Sequence, residues 1–424
     1  MIGHDTIEHA SLTDVGIRRG HNQDAHATLL ASDDEQWQVR GHIFLVADGM
    51  GAHAVGELAS ELAVSIIPHT YHKYAPQNGV PALRKAFVEA NASIHAKGQQ
   101  NPEFGGMGTT TTALLLRPEG AWVGHVGDSR AYRIRHGVIE QMSFDHSLVW
   151  EMARRQHVDP DGLEGIPSNV IVRSLGPEPL VQVDLEGPHP IEPGDVYLLC
   201  SDGLSGQVTD QEIGAVASLL PPAEACHFLI DLANLRGGPD NITALIVRVN
   251  EQAVKKAKSA TAHALLPWPV IALIVGLVFV TIAGYLTAYQ YRMAGIAFFL
   301  VAAIAIILGV IGLSVSFGKE KRRQAQEPVT TRPRMYRQAS CTVEQPLLDK
   351  LIKATTALEQ HVKERQWNAD WMEYQTHAAL GNRYQTEQKL ADSFSEYCRA
   401  MHVLAEAMQQ QRPKGEEFRP LWDK

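Results

Sequence analysis

The sequence predicts an α+β domain over roughly Met1 to Asn250, followed by a two-helix transmembrane hairpin and a helical tail. Three observations lead there. Short β-like runs bounded by Gly, Pro and Asp alternate with amphipathic stretches in the first part, two long uncharged stretches lie between Leu265 and Phe317, and apolar stripes follow Pro346. With 424 residues, 45% of them hydrophobic, the chain can bury a substantial core.

In the first part, His42–Ala47, Thr109–Leu116, Ala121–Arg135, Asp195–Cys200 and Asn241–Val249 read as strands. Ala54–Ile67, Pro81–Lys97 and Asp210–Leu220 have helical apolar spacing, so sheets covered by helices are the natural arrangement. A basic linker over 251–267 carries Lys255, Lys256 and Lys258. The hairpin spans 268–317, with helices over 268–289 and 294–317, each near the ~20 residues that cross a hydrocarbon core. Lysines before it, and Lys319, Lys321, Arg322 and Arg323 after it, place both flanks in the cytoplasm at a cell membrane. The N-terminus has no apolar run of the kind found in a cleaved signal peptide, which also leaves the first domain cytoplasmic.

After a linker over 318–345, residues 346–411 carry two stripes: Leu348, Leu351, Thr355, Leu358 and Val362, then Leu390, Phe394, Tyr397, Met401, Leu404 and Met408. Gly381 and Asn382 are expected to break the helix between them. A helical hairpin burying its own seam and a self-associating or partner-docking coiled coil both fit; residues 412–424 form the tail end.

A net charge of −9 leaves no basic footprint, so nucleic acid is not an expected partner. The four cysteines are far apart, which excludes a Cys-x-x-Cys metal or redox pair. A cysteine-dependent phosphatase would need Arg six residues after the nucleophile; here Gly206, Leu232, Leu347 and Leu404 stand there.

Aspartates recur at strand ends: Asp24, Asp48 in VADGMG, Asp128 in VGDSR, Asp202 in LLCSDGL and Asp240 in GGPDNIT. Each alone reads as a turn residue. Gathered in one cleft they would repel unless cations neutralised them, and oxygen ligands favour hard ions such as Mg²⁺ or Mn²⁺. Two such ions, about 3.5–4 Å apart, can activate a water and clamp a phosphoryl group, so phosphate-ester hydrolysis fits. The glycines around Met50 would let a main-chain carbonyl reach a metal.

The ordered set DVGIRRGHNQD, VADGMGAHAVGELAS, GTTTTALLL, VGHVGDSRAYRIR, SLG, YLLCSDGL and GGPDNITALIVRV resembles the bacterial type 2C metal-dependent (PPM) protein Ser/Thr phosphatases over nearly all of residues 11–249. The resemblance implies a four-layer sandwich of two antiparallel β-sheets flanked by helices. It implies that Asp48 bridges two Mn²⁺ or Mg²⁺ ions, that the Gly49 carbonyl binds the second, and that Asp202 and Asp240 complete the first. Asp24 would support the second ion through water, and Asp128 would bind a third, unless it is a turn residue satisfied by Ser129 and Arg130. Arg19 would grip the substrate phosphate, its alternative being a solvated surface cation. His53 would donate a proton to the leaving group, its alternative being an exposed residue opening a helix. Gln23 and Ala52 depart from the common pattern and bear on metal affinity. Phosphoproteins made by a Ser/Thr kinase are the implied substrates; a catalytically weak pseudophosphatase scaffold is the competing reading.

Overall fold

The computed structural model describes residues 3–51, 55–163, 165–167, 169–250, 268–289, 291–325 and 336–411. The expected linker 251–267, the tail end 412–424 and His53 lie outside these. The chain divides into two units: one contains the first domain together with the tail, the other is Lys255–Thr330.

In the first unit β1 (Ile7–Asp14) and β2 (Asp24–Leu29) lead through a short helix α1 (Asp34–Val39) into β3 (His42–Met50). Helices α2 (Val55–Asn78) and α3 (Pro81–Gly98) precede β4 (Gly108–Thr109), β5 (Thr111–Arg117), β6 (Gly120–Val126), β7 (Arg130–Arg135) and β8 (Val138–Gln141). Then follow α4 (Leu148–Gln156), β9 (Asp184–His189), β10 (Val196–Cys200), α5 (Asp202–Ser205), α6 (Asp210–Leu219), α7 (Pro222–Leu235) and β11 (Ile242–Val249). The run expected as one strand over Ala121–Arg135 is two, because Gly127 at φ +118° turns the chain and sets Asp128 in the bend.

Both sheets are antiparallel. One has the order β2-β3-β5-β6-β9, with β4 on the end of β3; the other contains β1-β11-β10-β7-β8 and one further strand. Side-chain alternation shows why the strands are apolar without interruption. Phe44, Val46, Tyr197, Leu199, Leu245 and Val247 fill the space between the sheets. Their neighbours Ile43, Leu45 and Ala47 face α2 and α3, and Leu198, Ala244 and Ile246 face α6 and α7. Each sheet is buried on both faces, which yields helix, sheet, sheet, helix layers.

The expected linker 318–345 is not all linker. The further strand is β12 (Arg337–Ser340), paired antiparallel with β8 from Arg337 opposite Gln141 to Ser340 opposite Val138. Three helices follow, α10 (Gln345–Glu364), α11 (Trp371–Thr386) and α12 (Leu390–Gln411), where two were expected. Gly381 and Asn382 do not break a helix: both lie inside α11, where a Cβ on Gly381 would stand 2.8 Å from the Tyr397 ring and Asn382 accepts a hydrogen bond from the Tyr397 hydroxyl at 2.8 Å. The turns fall instead at Gln366 and Gln388, both at positive φ.

The two stripes do not form a coiled-coil surface. Leu348, Leu351, Leu358, Phe394, Met401 and Leu404 join the same buried cluster as Phe228 and Leu232 of α7, so the tail is a layer on the sandwich. Apolar area already covered in this way is not available for self-association through those stripes. Polar ties reinforce the docking: Arg399 meets Glu224 at 2.8 Å and His402 meets Asp231 at 2.5 Å.

The second unit contains α8 (Trp268–Ala288) and α9 (Arg292–Ala325), with α9 helical beyond the expected end at Phe317. The two pack where a Cβ on Gly276 would come within 2.6 Å of Ile306, and Phe279 and Phe298 rings meet at 5.4 Å. Their outward residues are apolar, with Leu277 65% and Leu300 62% exposed, the reverse of a soluble helix pair. Among the described residues one stretch, Met293–Val310, is long and apolar enough to cross a membrane; Ala272–Ala288 is apolar but shorter.

Candidate metal centre

The sheet ends bring the predicted aspartates together. Asp24 opens β2 and stands directly opposite Asp48 of β3 in the ladder. Asp128 lies in the β6–β7 turn, Asp202 at the start of α5 after β10, and Asp240 just before β11. Adjacent strand ends from both sheets therefore deliver carboxyl groups to one edge of the sandwich.

Their protonation shows how crowded they are. Burial, with the charges of Asp202 and Asp240 added, pushes Asp24 up to about 7 even though Ser201 and Thr243 each donate a hydrogen bond to its Oδ2 at 2.7 Å. Asp48 is raised well above the ordinary carboxylate range by burial and then by Asp24, Asp202, Asp128 and Asp240. Asp128 is raised by burial and Asp202; Asp202 is raised by burial and Asp240.

Three oxygens, Oδ1 of Asp24, of Asp128 and of Asp202, are buried without a donor. Buried acceptors are normally satisfied, so this set fits cations, which would lower all four carboxyl pKa values at once. Among the described residues no three His, Cys, Asp or Glu side chains close around a single point. Hard ions such as Mg²⁺ are commonly held by one or two carboxylates and keep several of their waters.

The support around these groups was largely missed from sequence. Thr110 Oγ1 accepts the Asp48 N–H at 3.0 Å, and its own N–H donates to the Asp48 carbonyl at 2.8 Å; Thr109 donates to the same carbonyl at 2.9 Å. The TTTT run was visible in the sequence but carried no spacing rule that assigns it this seat. His146 accepts the Gly127 N–H on Nδ1 at 3.0 Å, so its Nε2 carries the proton and donates to Asp184 at 3.0 Å, which fixes the turn that holds Asp128. Ser129 bonds Thr110 at 2.7 Å and Arg130 bonds Asp145 at 2.9 Å, so the two residues offered as partners of a mere turn aspartate are engaged elsewhere.

Gly49 needs to be glycine because a Cβ there would lie 2.1 Å from the Gly56 carbonyl. Its N–H donates to the Gln23 carbonyl at 3.1 Å. Asn241 organises the loop before β2: its amide donates to the Val15 and His21 carbonyls at 2.9 Å each and its Oδ1 accepts the Gln23 N–H at 2.8 Å. On that loop Arg19 is exposed and places Nη2 2.8 Å from Asp240 Oδ2. It stands at the rim of the carboxylates with half its side chain open to an incoming anion. The four cysteines are free and buried, with burial pushing Cys200 and Cys226 up to about 12, which suits packing rather than nucleophilic work.

A family model described as Protein phosphatase 2C matches residues 17–160. The serine/threonine phosphatase stp of Listeria monocytogenes is 34% identical over 241 residues, covering 55% of this chain and 93% of that protein. The chain belongs to the protein phosphatase 2C family. PstP of Mycobacterium tuberculosis, a serine/threonine protein phosphatase, is 33% identical over 256 residues, and the chain spans only 45% of its length. A crystal structure of PstP is similar to this chain with a TM-score of 0.51 and 33% identity, covering 57% of this chain and 99% of that one. The phosphatase 2C likeness thus takes in little more than half of the chain.

Proposed function

We propose that the chain hydrolyses phosphoserine and phosphothreonine in proteins with the help of two Mn²⁺ or Mg²⁺ ions. The observation that carries this reading is the convergence of Asp24, Asp48, Asp128 and Asp202 with three buried, donorless carboxylate oxygens and raised pKa values. In this reading Asp48, the Gly49 carbonyl, Asp202 and Asp240 would hold the two ions, Asp24 would support the second through water, and Asp128 would hold a third. Bound there, the ions would supply Lewis acidity and a water deprotonated near neutral pH. Arg19 exchanges its Asp240 contact for the substrate phosphate, which its planar fork suits. His53 is proposed as the proton donor to the leaving alcohol. A scaffold without turnover has no use for concentrated buried negative charge, so the pseudophosphatase reading is the weaker one.

The expected result is hydrolysis of para-nitrophenyl phosphate and of a phosphopeptide by the whole chain with Mn²⁺ or Mg²⁺. Activity that survives chelator, or that survives in Asp48→Asn, would rule out the metal reading. A lowered kcat together with loss of the fall in kcat at alkaline pH in His53→Gln, at unchanged phosphate affinity, is the expected sign of its role as proton donor.

Membrane attachment through both helices belongs to the same proposal. What supports two crossings is connectivity: β12 pairs with β8 in the sheet of the domain that precedes the hairpin, so the segments before and after it share one side of any bilayer. The outward apolar residues of α8 and α9 support contact with lipid. A reporter fused after Lys424 is expected in the cytoplasm; periplasmic labelling would refute the paired spans.

A further inference from the structure

Beside the carboxylates lies a cleft of about 850 Å³ that reaches from Asp128 and Asp202 to the tail strand. Its far wall is Tyr336, Arg337, Gln338 and Ala339, which belong to the tail and lie outside residues 17–160, the part that the phosphatase 2C family model matches. A second wall is the excursion between α4 and Arg173, whose tip is Pro160–Gly162. The base of that excursion is tied by main-chain bonds, Leu148 N–H to the Val170 carbonyl and Val172 N–H to the His146 carbonyl, both 2.8 Å.

The tip has a different tether. Arg337 forms an ion pair with Asp161 at the tip and also stands 3.8 Å from Asp210 at the start of α6. Among the described residues this is the one ion pair joining the tip to another element. Tyr336 beside it is seated on the cleft side: its N–H donates to the Gln141 carbonyl at 2.9 Å, its hydroxyl bonds Glu186, and its ring meets Phe144 at 5.5 Å. Phe144 in turn packs edge-on against Trp150 of α4 at 5.3 Å. The strand that holds Arg337 is thus anchored by its pairing with β8 and by the contacts of Tyr336, while the Asp161 that it grips is on a surface turn with its side chain 69% exposed.

We infer that Arg337 is a positioning residue for substrate recognition: it fixes the excursion tip across the cleft, so the tail sets the width of the path by which a phosphopeptide reaches the metal carboxylates. This rests on the phosphatase reading. A small ester needs only the carboxylate end of the cleft, whereas a peptide also runs between tip and strand. An exposed ion pair holds weakly, so the effect is graded and not absolute.

The test compares whole-chain variants Arg337→Ala, Arg337→Lys, Asp161→Asn and the Arg337→Ala/Asp161→Asn double variant. Limited thermolysin cleavage within residues 157–171, read by mass spectrometry, is expected to quicken about two- to fivefold in Arg337→Ala and Asp161→Asn. The double variant is expected to match either single one, and Arg337→Lys to recover part of the protection. In turnover, KM for a phosphopeptide is expected to change by a similar factor, with kcat/KM for para-nitrophenyl phosphate within about twofold of wild type. Unchanged cleavage rates, additive effects in the double variant, or equal losses on both substrates would overturn the role given to Arg337. A wild-type chain inert towards both esters counts against the phosphatase reading alone, because the cleavage rates still decide on Arg337.

Discussion

Asp48 faces Asp24 across one rung of the β2–β3 ladder, and burial with the charges of Asp24, Asp202, Asp128 and Asp240 raises its pKa well above the ordinary carboxylate range. Removing one of these charges should therefore stabilise the metal-free protein while disabling it. Asp48→Asn is expected to raise the melting temperature without metal by about 2–4 °C, roughly 1 kcal/mol for a unit of this size, and to lower metal-dependent hydrolysis by more than about a hundredfold. Calorimetry with and without Mn²⁺ checks both halves, and a lower metal-free melting temperature would contradict the repulsion argument. Asn241 is the opposite case, a buried side chain with three satisfied bonds. Asn241→Ala is expected to cost about 2–4 kcal/mol in denaturant unfolding, because the Val15 and His21 carbonyls and the Gln23 N–H lose their partner together. The aspartates were legible in sequence because they recur in separated motifs. Asn241 and Thr110 were not, since their partners are main-chain groups from distant segments that no spacing rule connects.

At the scale of elements, α6 begins with a capping box, the Thr209 side chain and Glu212 each bonding the other's main chain. Glu212 then does more than cap. Burial alone would raise its pKa, but two bonds from Arg236 at 2.8 Å, with Thr209 and Lys350 of α10, hold it at about 2, below its ordinary 4.5. The folded value is the lower one, so its stabilisation is complete above pH about 4.5 and disappears as pH falls towards 2. Wild-type stability is expected to fall across that window by on the order of 2–3 kcal/mol through this group, and Glu212→Gln to flatten the profile there while lowering stability at pH 7. A parallel profile for the variant would show that the Arg236 and Lys350 pairs do not matter. The start of α6 and the Pro346 turn of α10 were both readable from local chemistry. The three-helix form of the tail was not, because Gly381 is needed for a close approach to Tyr397, and from sequence a glycine that admits a neighbour looks like one that ends a helix.

For the whole molecule, the tail and the first domain share one buried cluster that includes Phe228, Leu232, Leu358 and Met401. A chain ending at Asn250 would uncover the outer faces of α6 and α7 and the edge of β8. It is expected to aggregate or to melt well below a chain in which residues 255–330 are replaced by a flexible linker, as light scattering and thermal unfolding would reveal. Equal stability of the two would mean that the tail is an accessory and not a layer of the domain.

What the sequence alone determined is everything that local pattern can encode: the family, from aspartates in ordered motifs; two apolar helices, from length and absence of charge; and the stripes of the tail, from helical spacing. Only the tertiary structure decided where those stripes go, that Arg337–Ser340 pair with Val138–Gln141 to complete a sheet begun at Ile7, and that Arg337 reaches the cleft beside the carboxylates. Periodicity tells which face of a helix is buried, but the partner of that face is chosen by shape and charge complementarity between distant segments, and one-dimensional spacing does not record it.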